Sequence, residues 1–325
     1  MPEIARPTPL AALDGAPTPT ELHFVRSHFG TPDVDARAWT LDVAGAVARP
    51  FSVSLAELRE LGSHTVRAVL ECAGHRRAEL VPPAEGVAWR AGAVSQAEWA
   101  GAPLRDLLAR SGAAAEGMEV ALHGKETFAR SIPLAKALDP DTLVAWAIGG
   151  EPIPRELGGP VRAIVPGRYA VDSVKWLRTI EVRVEPFDGP FQVHDYRIFD
   201  AAGVPDGEPL GELPVTSLVT WPEDRGILRT GRTVVRGLAW GGEGGAVAVT
   251  VRLDGEEEVP ATLTPPAGPY AFTPWEATLD LSPGEHVLAA RAVDAAGRAQ
   301  PDGPLWNRRG YANSSVHRVR VRVAA

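Results

Sequence analysis

The chain has 325 residues, 45% of them hydrophobic and 23% charged, with a formal net charge of -8 at neutral pH. That length and balance suit two globular domains with cores of their own and exclude a disordered chain, while the acidic net charge leaves no excess cation for a nucleic-acid or anionic-membrane surface. One cysteine, Cys72, excludes an internal disulfide framework and Cys-rich zinc or iron–sulfur sites, and no apolar run approaches the roughly 18 residues of a membrane span.

Residues 1–10 show neither an apolar signal core nor a twin-arginine pair, so no export address is visible. The compartment stays open: cytoplasmic if the chain is complete, periplasmic if a signal has been removed. Ser54-Leu-Ala-Glu57 is a capping-box pattern that opens a short helix, and Gly62 closes it. The next segment, 66–72, alternates with Val66, Ala68, Leu70 and Cys72 in one phase, which predicts a strand delivering Cys72 at its inward-facing end. Ala73-Gly74 then allows a sharp turn or a close approach of the backbone to a ligand. Leu104, Leu107 and Leu108 follow at helical spacing between Pro103 and Gly112, a short core-packing helix. From Val161 two apolar strands flank a Gly-containing loop that carries Arg168 and Lys175.

Between 200 and 213 the composition turns to Gly, Pro and acidic residues without periodicity, which predicts a domain linker with its boundary near Val204. The expected domains are therefore 1–203 and 204–325. Strand patterns dominate the second: 233–240, 246–253, 286–293 and 316–323, the last alternating Val319, Val321 and Val323 with Arg318, Arg320 and Arg322. Short strands with such turn spacing predict an immunoglobulin-like β-sandwich behind a mixed α+β first domain.

The chemistry concentrates in Glu71-Cys72-Ala-Gly-His-Arg76-Arg77, where a lone thiol meets a glycine turn and two guanidinium groups. Adjacent cations favour thiolate, the form that binds soft metals. The plain alternative is a small buried hydrophobe beside two solvated arginines.

Cys-Ala-Gly-x-Arg-Arg after an alternating strand resembles the molybdenum-ligating signature of the sulfite oxidase family. Other segments resemble that family in the same order. Phe24-Val-Arg26-Ser27-His28 is similar to its pterin-contacting Phe-x-Arg-Asn-His, with Ser27 in place of asparagine. Gly86-Val-Ala-Trp89 and Trp99-Ala-Gly-Ala-Pro-Leu104 match packing motifs. Gly159-Pro-Val-Arg162, Val165-Pro-Gly167 and Ser173-Val174-Lys175-Trp176 resemble the run that grips the pterin phosphate, and an arginine fork with a lysine point charge suits a phosphate. His194-Asp-Tyr196 resembles the segment supplying the active-site tyrosine, and 306–313 resembles the end of the dimerisation domain.

The resemblance implies a sulfite oxidase-like molybdopterin-binding domain followed by the sandwich, with molybdenum-molybdopterin as cofactor and Cys72 as metal ligand. It also implies Arg77 holding an anionic substrate and Tyr196 donating a hydrogen bond or relaying a proton. Phe24, Arg26, Ser27, His28, Cys72, Arg162, Ser173, Val174 and Lys175 are the expected cofactor contacts. The expected reaction is oxidation of sulfite to sulfate. Electrons pass to a separate c-type cytochrome or oxygen, since no haem segment precedes Phe24 and no Cys-x-x-Cys-His occurs. A homodimer through the second domain is implied too.

Three departures bear on the substrate: Thr40 aligns where a substrate-binding arginine is common, 267–275 offers no arginine from the second domain, and Leu157 replaces a pterin-contacting histidine. Arg76, Arg168 or His75 are the candidates to compensate. Two alternatives follow, the same cofactor acting on another substrate such as a sulfoxide, or a non-catalytic binding module in which Cys72 is structural.

Overall fold

The computed structural model describes residues 2–114, 117–125, 127–200, 202, 205–256 and 258–325; the expected boundary residue Val204 lies outside them. Strands dominate, with few short helices, as an α+β first part followed by an all-β second part. No helix among the described residues is long and apolar enough to cross a membrane.

Two sheets, one mixed and one antiparallel, share the first core. Phe51–Ser54, Thr40–Gly45, Leu177–Arg183, Glu119–Gly124 and Ala129–Pro133 form one, with Leu177–Arg183 parallel to Thr40–Gly45. The other orders Glu151–Pro152, Leu143–Ile148, Val94–Pro103 and His64–Glu71, with Arg162–Ile164 also on Leu143–Ile148. Leu41, Val120, Leu122, Val144 and Ile180 of the two sheets pack with Leu104, Leu107 and Leu108. Those leucines lie on the helix Leu104–Ser111, which Gly112 stops with φ +63. The helix Leu55–Glu60 carries the complete capping box from Ser54 and Glu57. Both helices follow the sequence reading because their signals are local.

The second part is a sandwich. One sheet orders Thr216–Trp221, Gly231–Trp240, Thr273–Leu281 and Thr262–Leu263; the other orders Gly226–Arg229, His317–Ala324, Gly284–Asp294, Ala246–Leu253 and Val259–Pro260. In His317–Ala324 the burial alternates strictly, with Val319, Val321 and Val323 inward. The predicted linker contains order of its own: Pro205–Pro209 pairs with Arg197–Phe199. Backbone pairing needs no hydrophobic periodicity, so this ribbon left no pattern to read.

The strand His64–Glu71 is not half-buried as alternation implies. Val66, Ala68 and Leu70 face a cluster with Trp99 and Ile164, while Val69 packs with Leu218, Leu238 and Trp240 of the sandwich. Its edge is tied as well, since Val69 N–H donates to Tyr270 O at 2.9 Å. Both faces are therefore covered, and the sandwich buttresses the strand that carries Cys72.

Candidate active site

Cys72 follows the last residue of that strand. Its N–H donates to Ala93 O at 2.9 Å, and its carbonyl accepts from His75 N–H at 2.8 Å, which closes a tight turn. A Cβ at position 74 would lie 2.5 Å from Arg77 Nη2, so any other residue there would displace the guanidinium. The close approach expected at this glycine is made by a guanidinium, not by a ligand.

One cavity gathers Phe24, Arg26, Ser27 and His28 from the N-terminal segment with Cys72 and Tyr196. Arg162, Ser173, Val174 and Lys175 line the same cavity. Ten of the eleven residues singled out in the sequence thus converge, across 172 positions between Phe24 and Tyr196.

The deep end is cationic. Arg162 donates from Nη1 to Leu157 O and from Nη2 to Ser173 O, both at 2.7 Å, and stacks over Trp99. Lys175 Nζ donates to Glu156 O at 3.0 Å and to Ser27 Oγ at 3.2 Å. Neither has a carboxylate in contact among the described residues. Burial pushes Lys175 down to about 7, helped by the nearby Arg162, and pushes Arg162 down to about 9. A buried and a partly buried cation with no carboxylate in contact, and only the more distant Glu156 opposing them, are costly unless an anion completes the site. A phosphate fits that deficit, so the residues present suit a phosphorylated cofactor.

At the other end, Arg26 Nη2 lies 3.2 Å from His28 Nδ1, and His28 Nε2 lies 2.7 Å from the Tyr196 hydroxyl. A guanidinium can only donate, so Nδ1 accepts and the neutral ring carries its proton on Nε2. Burial holds His28 down at about 4, so the ring is neutral at physiological pH. Nε2 then donates to the Tyr196 oxygen, which leaves the phenolic proton free to be donated elsewhere. Burial, and then Cys72, push the Tyr196 phenol well up, so it stays protonated. Tyr196 is held at φ +53 and stacks on Tyr311, with ring centroids 5.2 Å apart. A non-glycine residue in that conformation persists only where its surroundings fix it.

Arg77 is the exception. Its Nε donates to Arg309 O at 2.7 Å and its Nη1 to Val87 O at 2.8 Å, with the guanidinium over the Tyr311 ring. It does not line the cavity; two of its five N–H donors go to backbone carbonyls instead. The three suggested compensators are engaged likewise. Arg76 binds Glu79 and Ser315 O, Arg168 binds Asp172, and His75 binds Glu71.

Thr40 is exposed at the start of its strand and does not line the cavity. Residues 267–275 contribute no lining residue; the Tyr270 hydroxyl donates to Asp139 instead. The thiol also departs from expectation: burial pushes Cys72 up, outweighing the Gly74 backbone, Arg77 and Arg26. In the metal-free protein it is a thiol, and a metal ion is what would draw off its proton.

Sequence reasoning missed Phe29, Lys125 and Phe128, which line the mouth. Phe128 packs on Phe191 at 4.5 Å and stacks with His28 at 6.0 Å. Nothing in the local sequence separates Phe29 and Phe128 from ordinary packing aromatics, or Lys125 from an ordinary surface lysine; only the fold brings them to this cavity.

Residues 28–191 match the oxidoreductase molybdopterin binding domain, and residues 208–324 match the Mo-co oxidoreductase dimerisation domain. Fold and site thus define an oxidoreductase of the molybdopterin-binding class. The chain is 35% identical to mitochondrial sulfite oxidase of Mus musculus over 98% of its length, 37% to sulfite oxidase of Gallus gallus over 93%, and 31% to that of Arabidopsis thaliana over 98%. It spans 64%, 72% and 91% of those proteins. The crystal structure of the sulfane dehydrogenase SoxCD from Paracoccus pantotrophus is similar at a TM-score of 0.87 and 28% identity, covering 97% of this chain and 84% of that one. The chain belongs to the sulfite oxidase family of molybdopterin oxidoreductases.

Proposed function

We propose that this protein oxidises sulfite to sulfate at a molybdenum-molybdopterin centre, SO3(2-) + H2O giving SO4(2-) + 2H+ + 2e-, and passes the electrons singly to an external acceptor such as a c-type cytochrome or oxygen. The observation that carries the reading is the placement of Arg162, buried, and Lys175, partly buried, with no carboxylate in contact with either, in the cavity that Cys72 also lines. When bound, the centre supplies oxygen-atom transfer and storage of two electrons.

The chain supplies the rest. Cys72 Sγ is the protein ligand to the metal, and Arg162, Lys175 and Ser173 hold the cofactor's phosphate by charge-assisted and neutral hydrogen bonds. Phe24, Ser27, His28 and Val174 complete the cradle. Arg26, a cavity-lining cation that reaches His28 Nδ1 and also pairs with Glu3 at 2.8 Å, orients an anionic substrate in place of Arg77. Tyr196 keeps its proton and donates it as a hydrogen bond. We place the domain boundary between residues 203 and 204, and two copies joined through the second domain; the dimerisation-domain match supports that pairing.

A second reading, a less charged sulfur substrate, is favoured by the aromatic mouth of Phe29 and Phe128 and by the lack of a lining cation from 267–275. The name of the SoxCD enzyme, a sulfane dehydrogenase, is consistent with this. Elemental analysis of wild type and Cys72→Ala, with sulfite-dependent ferricyanide reduction on the same samples, tests the proposal. Molybdenum near one per chain with turnover, both lost in the variant, is expected. Molybdenum without sulfite turnover would move the assignment to the second reading; no molybdenum from a host that loads a control molybdoenzyme would overturn both.

A further inference from the structure

The tyrosine end of the cavity is rich in rings. Phe191, Phe128 and Phe29 have their ring centroids 5.3, 6.0 and 6.1 Å from that of His28, and His28 holds the Tyr196 hydroxyl. Phe191 ties the three together, at 4.5 Å from Phe128 and 6.1 Å from Phe29, and lies 6.5 Å from the Tyr196 ring. Phe128 and Phe191 are only partly buried, Phe29 is 39% exposed, and Phe29 and Phe128 line the cavity. Open aromatic surface beside a few polar groups suits a ligand with an apolar part, because laying that part against the rings removes both from water.

The charge available to a substrate is small. Four lysines and arginines line the cavity, and Arg162 and Lys175 meet the phosphate. That leaves Arg26, paired with Glu3 at 2.8 Å, and Lys125, whose ammonium donates to Asp33 O. A doubly charged head facing so few free donors loses more hydration than it regains, and a singly charged head is the better match. The reaction itself asks for a sulfur lone pair. An organic sulfinate, R–SO2(-), has that lone pair, one negative charge where sulfite carries up to two, and an apolar group R.

We infer that the site oxidises organic sulfinates to sulfonates, with R against Phe29 and Phe128 and the sulfinate oxygens toward Arg26 and the Tyr196 hydroxyl. The inference rests on the molybdenum oxidoreductase reading and gives the second reading above its substrate class. The reaction balances as R–SO2(-) + H2O giving R–SO3(-) + 2H+ + 2e-. The sulfur lone pair becomes a third S–O bond, the oxygen is replaced from water, and the two electrons leave singly to the same external acceptor. No C–S bond breaks, so R acts only through binding. Tyr196, whose phenolic proton His28 leaves free, donates to a sulfinate oxygen.

The test compares benzenesulfinate with methanesulfinate, which share a charged head and differ in R, on wild type and Phe29→Ala. Molybdenum-loaded protein receives each of them, and sulfite, with ferricyanide as acceptor, in isotopically labelled water. Expected are labelled benzenesulfonate by mass spectrometry, two ferricyanides reduced per sulfonate, and kcat/KM for benzenesulfinate about tenfold or more above that for methanesulfinate. Phe29→Ala should lose most of that preference, and because it is a ratio taken on one sample, partial cofactor loading cancels from it. Calorimetric titration of the metal-free protein, with inorganic phosphate saturating the cationic end, should show the same preference as affinity. Sulfite turnover without sulfinate turnover, equal use of the two sulfinates, no preference by calorimetry, or a preference untouched by Phe29→Ala overturns the inference and leaves the sulfite reading intact. Sulfinate turnover without sulfite turnover supports the inference and overturns the sulfite reading. Loaded protein that turns over neither sinks both.

Discussion

Replacing Arg77 by alanine is expected to loosen the join between the cysteine turn and the C-terminal segment, not to weaken substrate binding. The guanidinium sits in a cage of glycines: a Cβ would meet it at 2.5 Å from Gly74 and 2.8 Å from Gly86, and would lie 2.6 Å from its Cγ at Gly310. Its donors satisfy the carbonyls of Val87 and Arg309, and it lies 5.2 Å from the Tyr311 ring centroid. A buried charge-assisted hydrogen bond contributes about 1.5–3 kcal/mol. Losing two, with a void left where the side chain packed, comes to roughly 3–5 kcal/mol once partial relaxation is allowed for. At roughly 2–4 °C per kcal/mol for a chain of this order of size, the midpoint of the metal-free protein should fall by about 10 °C. Calorimetry on the metal-free wild type and variant measures this without any contribution from catalysis. An unchanged midpoint together with a large rise in KM for sulfite would refute the reasoning and return Arg77 to the substrate.

Sulfate, which does not titrate in this range, should bind the metal-free cavity with an affinity that falls about tenfold per pH unit above 7, because Lys175 loses its proton near that value. The same depressed value makes the metal-free protein gain stability from Lys175 as pH rises from about 7 toward 10.5, where the unfolded chain binds more protons. Isothermal titration between pH 6 and 9 checks the affinity, and Lys175→Met should flatten it. Asp172, fully buried between Arg130 and Arg168, should cost about 3–5 kcal/mol when replaced by alanine, since two arginines lose their carboxylate; chemical denaturation reads it. Tyr196→Phe should lower kcat about a hundredfold while leaving molybdenum content unchanged, seen in steady-state kinetics beside elemental analysis.

Much of the site was legible in the sequence because its signals are short and local. The cysteine signature, the Phe24–His28 segment and Ser173–Trp176 each carry their chemistry within a few residues, and the capping box and Gly112 stop mark helices wherever the chain runs. Residue type alone determined that Cys72, Arg162 and Lys175 had the right chemistry for a soft metal and a phosphate. Tertiary structure decided which side chains reach the cavity. Arg77, five residues from Cys72, was drawn off by carbonyls at Val87 and Arg309, whereas Phe128 and Lys125 entered from a strand end whose pattern says only packing. Direction of that kind depends on partners hundreds of positions away, as when the sandwich covers the second face of His64–Glu71 and turns an alternating strand into a buried one. A guanidinium donates to whatever acceptors the fold leaves unpaired, and no local pattern records where those are.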